Sequence, residues 1–360
     1  MTLAVSDLTR IMDGFQDKSI LVIGDLMVDR YVHSQGRKLS REAPVPVADY
    51  ISEELVLGGA ANLTNNLAAL GAKVRVLGVV GNDEAGRWLQ DELTKKGADL
   101  SAVVVNERPT SLKTRFILNH RQYLRIDKEY RSEVEPHVTK QFLASLKELI
   151  DGTDGVVFSD YDKGVITPEL ISNVVEECRV QGKKILAQPK VRHYLDYIGV
   201  TMVKSNLREA TIATGVSMVN DTSLRNMGHN LMTRLECDSI LLTRSEQGMI
   251  LFEKKNITSF PPFKGPKPGF NAVGVRDCMT AVLVASLAAD APVREAVLLA
   301  GLAASQQADK IGTVVADLND LRSQANTTVE LAERIVQVPV RKDGTGPDSH
   351  RHASAESCED

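Results

Sequence analysis

Ser19-Ile20-Leu21-Val22-Ile23-Gly24-Asp25 is an apolar run that stops on a glycine and an acid, the pattern of a short strand buried on both faces. From it the chain alternates. Ala60–Leu70 follows Gly58 and Gly59, sets Leu63, Leu67 and Leu70 at helical spacing and meets Gly71, as a helix with a glycine stop does. Residues 73–80 (KVRVLGVV) predict another strand, and 83–96 a helix with acids at its start and lysines at its end, which complements the helix dipole. Residues 155–160, 184–187, 239–243 and 249–252 predict strands, and 168–181, 277–289 and 293–310 predict helices. This rhythm predicts an α/β fold, a mostly parallel sheet with helices on both faces. Residues 31–47, 112–118 and 123–127 break it, being extended with no helix between the last two. They predict a small antiparallel β lid, within about 31–50 and 110–128, above the strand ends.

No linker divides the body, so residues 1–340 read as one domain. The tail 341–360 has almost no large apolar residue to offset its ordering entropy and is expected to be disordered. Across 360 residues, Lys+Arg 43 against Asp+Glu 47 leaves a charge of −4. That excludes a generally basic nucleic-acid-binding surface while allowing local cationic pockets. No apolar run approaches the roughly 20 residues of a bilayer span, and the first residues carry no signal core. A cytoplasmic protein with no membrane or nucleic-acid partner is expected. Cys178, Cys237, Cys278 and Cys358 are far apart and read as reduced packing residues. His350 and His352 belong to the polar tail.

Three clusters carry candidate chemistry. Asp25 stands just past a strand's carboxyl end, where open α/β sheets bind ligands; a sugar-hydroxyl acceptor and a turn or cap residue fit it equally. Gly58 and Gly59 permit close backbone approach, or make only a turn, and Asn62 offers a donor and an acceptor. Asn271-Ala272-Val273-Gly274-Val275-Arg276-Asp277 opens an apolar helix, whose free N–H groups and positive dipole end suit an anion. Asp277 fits either a base for a substrate hydroxyl or an acid favoured by that dipole. Trp88, Cys278 and Met279 read as packing, and Arg37 and Arg41 as solvated.

With VIGDLMVDRY, SREAPVPV, GGAANLTNNLAALGA, FSDYDKGVI, TRSEQGM and KIGT, the chain resembles the ribokinase-like (PfkB) sugar kinases from about Ile20 to Thr313. SREAPVPV and the pair KTR and LRID are similar to the heptose-phosphate kinase branch. The resemblance implies a Rossmann-like ribokinase fold whose lid doubles as a homodimer interface. It implies ATP and Mg²⁺ as cofactors, with a sugar phosphate under the lid. Asp25, Gly58, Gly59 and Asn62 match sugar-binding positions. Lys113, Arg115 and Arg125 in the lid, with Asp160, Lys163 and Lys190, match the substrate cleft. Asn206 and Glu209 match N-x-x-E, whose glutamate meets magnesium through water; Thr243, Ser245 and Gly248 match the nucleotide loop. Gly274, Val275 and Arg276 stand at the anion hole and Asp277 at the catalytic base. The reaction implied is phosphorylation of the anomeric hydroxyl of D-glycero-D-manno-heptose 7-phosphate, a lipopolysaccharide precursor. No GxFDxxHxGH signature occurs, so a separate nucleotidyltransferase is an implied partner.

The sequence departs from the family on the nucleotide side. D-x-x-G-A-G-D becomes 271–277, with Asn271 weakening a monovalent-cation site and Arg276 in place of a glycine. Arg276 is expected either to strain the turn or to clamp a phosphate. D-P-K becomes Gln188-Pro189-Lys190, an adenine-pocket asparagine becomes Gly301, and Gln306 and Gln307 replace apolar residues. Two outcomes follow: a working kinase, or a pseudokinase that binds a sugar phosphate or a partner subunit.

Overall fold

The computed structural model describes residues 5–216, 220–263, 274–308, 315–326 and 334–340. Strand β1 (Ser19–Gly24) runs parallel between β4 (Lys73–Gly81) and β8 (Gly155–Ser159). Its side chains alternate between two cores, as a pleated strand requires. Ile20 and Val22 pack with the buried faces of α2 (Ala60–Ala69), α8 (Val275–Ala288) and α9 (Val293–Ala308). Leu21 and Ile23 pack with those of α4 (Pro136–Asp151), α5 (Pro168–Gln181) and α7 (Asp221–Leu235). The same switch recurs at Val157 and Phe158, Leu186 and Ile185, and Leu241 and Ile240. A sheet covered on both faces is therefore built, as the alternation predicts.

The ten-stranded sheet has the order β14 (Val336–Pro339), β13 (Asn256–Phe260), β12 (Met249–Glu253), β11 (Ser239–Thr243), β10 (Met202–Asn206), β9 (Lys184–Gln188), β8, β1, β4 and β5 (Asp99–Asn106). From β11 to β5 it is parallel, and β12 to β14 add antiparallel strands at one edge. Asp25, Asp160, Gln188, Asn206 and Thr243 all end or follow parallel strands. They are thereby gathered along the carboxyl edge of the sheet, where such folds bind ligands.

The lid is a second, four-stranded sheet in the order β3 (Pro46–Gly59), β2 (Leu26–Leu39), β6 (Ser111–Leu118), β7 (Arg121–Lys128). It is mixed, which corrects the antiparallel expectation: β2 and β6 run parallel. Parallel neighbours need a long crossover, here supplied by α2, β4, α3 (Glu84–Lys95) and β5. The lid also reaches further than expected, down to Gly59 opposite Leu26. Its root is continuous with β1 and α2, which end and begin within a residue of β2 and β3. Trp88 packs against the core and Cys278 and Met279 are buried, as their spacing predicts; Arg37 and Arg41 are exposed.

Candidate active site

Gly274 adopts φ 85° and starts α8 with no side-chain cap, so the first-turn amides depend on other partners. Asp277 follows in that turn and is 4% exposed. Its Oδ1 accepts the Tyr161 hydroxyl at 2.5 Å and its Oδ2 accepts Asn62 Nδ2 at 2.7 Å. Asn62, in the first turn of α2, is itself held by Asn66. Two donors from different elements thus fix the carboxylate's plane. Burial raises its pKa, and the bonds from Tyr161 and Asn62 and the charges of Arg276 and Lys204 offset this only in part. The Asp277 amide donates to Gly274 O at 3.1 Å. The anion cradle expected from 274–277 therefore narrows to the amides of Val275 and Arg276.

Arg276 does not strain the turn, because its φ is negative and it sits in regular helix. Its guanidinium lies 5.3 Å from the Tyr161 ring centroid, and Nη1 meets Glu209 Oε1 at 3.3 Å. Its Nη2 is buried without a hydrogen-bond partner among the described residues. Lys190 reaches the same Glu209 oxygen at 2.6 Å, and burial and the Arg276 charge lower its pKa. Asn206 and Glu209 form a capping box at the start of α6 (Leu207–Thr214). Burial pushes Glu209 up, but Arg276 and Lys190 bring it below the ordinary carboxylate value. With Oε1 shared by two cations and Oε2 accepting Asn206 N–H, Glu209 fits a magnesium contact only through water.

Lys204 is a functional candidate that the sequence reading misses. It is 3% exposed and donates to Gln188 Oε1 at 3.0 Å, to the Arg276 carbonyl at 3.0 Å and to Thr280 Oγ1 at 3.1 Å. Three acceptors match the three donors of an ammonium. Burial, then Arg276, depresses its pKa. Gln188 Nε2 has no partner beside it.

On the sugar side, Asp25 is buried, and its carboxylate accepts the amides of Tyr161 at 2.8 Å, Lys163 at 3.1 Å and Val165 at 3.1 Å. It anchors the loop that carries Tyr161 to Asp277. Burial and the neighbouring Asp160 push it up to about 6. Asp160 accepts the amides of Asp162 and Lys190 and the Tyr197 hydroxyl, fixing the next loop. Gly59 has φ 56°, and a Cβ there would lie 2.6 Å from Asp25 O; at Gly58 it would lie 2.8 Å from Asp29 Oδ2. These glycines admit close packing of β2.

The lid cations expected at a substrate phosphate are instead held by carboxylates. Arg115 is buried against Asp29 at 2.6 Å and over the Tyr31 ring. Arg125 pairs with Asp127, and Lys113 with Asp127 and Glu129. Lys163 joins Glu129 at 2.9 Å.

On the nucleotide side, Thr243 ends β11 with its hydroxyl donating to Ser205 O. Ser245 (φ 50°) and Gly248 (φ 75°) shape the following turn. A Cβ at Gly248 would be 2.1 Å from Phe260 O, and one at Gly301 would be 2.3 Å from the Phe263 ring. Gln306 is buried with Nε2 unpartnered among the described residues. Asn271, the Gln307 side chain and the tail fall outside the described residues.

A parallel sheet, a β lid rooted in its strand ends and a buried acid at a glycine-led helix start define a ribokinase-like α/β kinase fold. The chain belongs to the pfkB family of carbohydrate kinases, matched over residues 17–319. It is 37% identical over 319 residues to the bifunctional protein HldE of Helicobacter hepaticus, covering 88% of this chain and 66% of that protein. With the bifunctional protein HldE of Citrifermentans bemidjiense it shares 38% identity over 294 residues, 81% of this chain and 60% of the relative. The chain thus spans less than two-thirds of either relative's length. Among solved structures, phosphofructokinase-2 from Escherichia coli matches with a TM-score of 0.72 at 15% identity, over 86% of this chain and 99% of that one. A carbohydrate kinase from Agrobacterium tumefaciens matches at 0.64 and 18%, over 89% and 100%.

Proposed function

We propose that the protein transfers the γ-phosphoryl group of ATP to a hydroxyl of a sugar phosphate, with the anomeric hydroxyl of D-glycero-D-manno-heptose 7-phosphate as the favoured acceptor. The likeness to HldE proteins and the motifs SREAPVPV and KTR support that substrate. The observation that carries the activity is the Asp277 carboxylate, buried and oriented by Tyr161 and Asn62 beside the Val275 and Arg276 amides.

In the reaction the acceptor hydroxyl gives its proton to Asp277 as its oxygen bonds to the γ-phosphorus. The bond from that phosphorus to the bridging oxygen breaks, and ADP leaves with the electron pair. Arg276 and Lys190 neutralise the phosphoryl oxygens, and the first-turn amides of α8 orient them. Magnesium bound with the nucleotide would add charge neutralisation, and Glu209, whose oxygens already meet Arg276, Lys190 and the Asn206 amide, would hold it through water. Asn271 and the monovalent-cation site remain part of this proposal.

The product suits a separate nucleotidyltransferase as the next enzyme. Tyr50, Ile51, Tyr123, Leu124 and Ile126 expose apolar surface on the lid, which supports a homodimer through that sheet. No helix among the described residues is long and apolar enough to cross a membrane, in keeping with a cytoplasmic kinase.

One observation favours a non-catalytic binder instead. The Phe263 ring fills the space above Gly301, the position that resembles the family's adenine pocket. A coupled ADP-release assay with Mg²⁺, K⁺ and a panel of heptose and hexose phosphates separates the two. Turnover by the intact chain supports the kinase. Stabilisation by a sugar phosphate without ATP binding or turnover supports the binder.

A further inference from the structure

Beneath the lid root, a small open pocket is lined by Asp25, Leu26, Val79, Arg108, Ser111 and Lys163, among others. Arg108 was not among the residues singled out by sequence, yet it is the charged group best placed there. Its Nη2 donates to the carbonyls of Ser132 and Lys163, both at 3.0 Å, and its guanidinium stands 5.6 Å from the Tyr130 ring centroid. The planar group is therefore locked by contacts from two loops. Its Nη1 is buried and has no hydrogen-bond partner among the described residues. A guanidinium held rigid with one edge unsatisfied is an unfilled site for a planar or tetrahedral oxyanion.

The surrounding charges agree. Lys163 lines the same pocket, paired at 2.9 Å with Glu129. Glu129 is already shared with Lys113 at 2.8 Å and Arg131 at 3.1 Å, so three cations surround one carboxylate. Asp25, the other acid on the wall, spends both oxygens on three backbone amides. The pocket therefore carries an excess of donors over acceptors.

Its position relative to the reacting centre is set by one side chain. The Tyr161 amide donates to Asp25 in the pocket wall, while the Tyr161 hydroxyl donates to Asp277. The pocket and the base thus lie at opposite ends of a single tyrosine.

We propose that Arg108 and Lys163 seat the distal phosphate of the acceptor, selecting sugars whose phosphate lies at the far end of the chain from the hydroxyl that reacts. This rests on the sugar-phosphate kinase reading, but the seat itself is testable without turnover. Inorganic phosphate and a hexose 6-phosphate are titrated calorimetrically into the intact chain and into Arg108→Gln and Lys163→Gln. KM for the sugar phosphate is measured alongside. Both substitutions are expected to weaken phosphate binding and raise KM at least tenfold, with the affinity for the unphosphorylated hexose unchanged. Should Arg108→Gln fail to fold, Lys163→Gln decides, since among the described residues the Lys163 ammonium pairs only with the Glu129 carboxylate. Unchanged phosphate affinity and KM in folded variants overturns the seat and leaves the kinase standing. Arg108-dependent phosphate binding with no turnover supports the seat and removes the kinase.

Discussion

In the proposed reaction Asp277 is the base, and its environment makes a specific kinetic demand. A base must be ionised to accept a proton, so kcat/KM falls as pH drops through its pKa. Burial lifts that pKa, placing the acid limb above the range of a free carboxylate. The Arg276 charge pulls the other way; Arg276→Gln should therefore move the limb to still higher pH, read from a pH profile of kcat/KM. Asp277→Asn keeps the shape and both donors' neighbourhood, and it should lower kcat by about 10²- to 10⁴-fold with little change in melting temperature. Lys204 is expected to matter through Asp277's helix. Lys204→Met removes the ammonium that bridges Gln188, Thr280 and the Arg276 carbonyl, and denaturant unfolding should show a loss of about 1–3 kcal/mol. Asp277, Asn62 and Glu209 were legible because each sits in a local motif at a helix start. Tyr161 and Lys204 were not, because they act 116 and 72 residues away along the chain, and no local spacing marks such contacts. The strain expected at Arg276 failed for a simple reason: the glycine-requiring backbone of this turn is Gly274, two residues earlier.

At the scale of elements, the junction of β3 and α2 holds the lid to the body. Gly59 has a positive φ there and no room for a Cβ against Asp25 O. Gly59→Ala should cost more than about 1 kcal/mol, seen as a lower melting temperature and weaker sugar-phosphate binding together. The second tie is Glu129. Burial pushes its carboxyl up, but hydrogen bonds and charge from Lys113 and Lys163 bring it down to about 2. A depressed acid stabilises the fold above its unfolded pKa and loses that contribution as pH falls. Stability should therefore decline from about pH 4.5 towards pH 2, and Glu129→Gln should flatten that part of the thermal-melt profile while lowering stability at pH 7. The main sheet was legible since its strands are continuous apolar runs. Residues 136–151 also carry a helical signal, Val138, Phe142, Leu146 and Leu149, which the strand–helix rhythm alone passes over. The half-exposed edge strand β5 carries only the short run Ala102-Val103-Val104-Val105 between polar ends. The mixed pairing of the lid was hidden because strand direction depends on the crossover between β2 and β6, not on either strand's residues.

For the whole molecule, two cores on either face of one sheet leave the carboxyl edge as the place where lid, loops and α8 converge. The lid's exposed Tyr50, Ile51 and Tyr123 should bury against a second copy. Light scattering is expected to give a dimer mass for the native chain and a monomer mass for Tyr50→Glu with Ile51→Glu. The fold could be read from the sequence at this scale, since hydrophobic periodicity reports burial directly; which charges remain free for a ligand could not, because the pairing of Lys113 and Arg115 is decided by carboxylates from outside their own strand. All of this converges on phosphoryl transfer at Asp277, and phosphorus NMR reads it most directly. Incubated with ATP, Mg²⁺ and D-glycero-D-manno-heptose 7-phosphate, the native chain should produce a second sugar-phosphate resonance coupled to the anomeric proton, absent with Asp277→Asn. A spectrum in which ATP and the heptose phosphate persist unchanged, or in which Asp277→Asn forms the product as fast as the native chain, would contradict it.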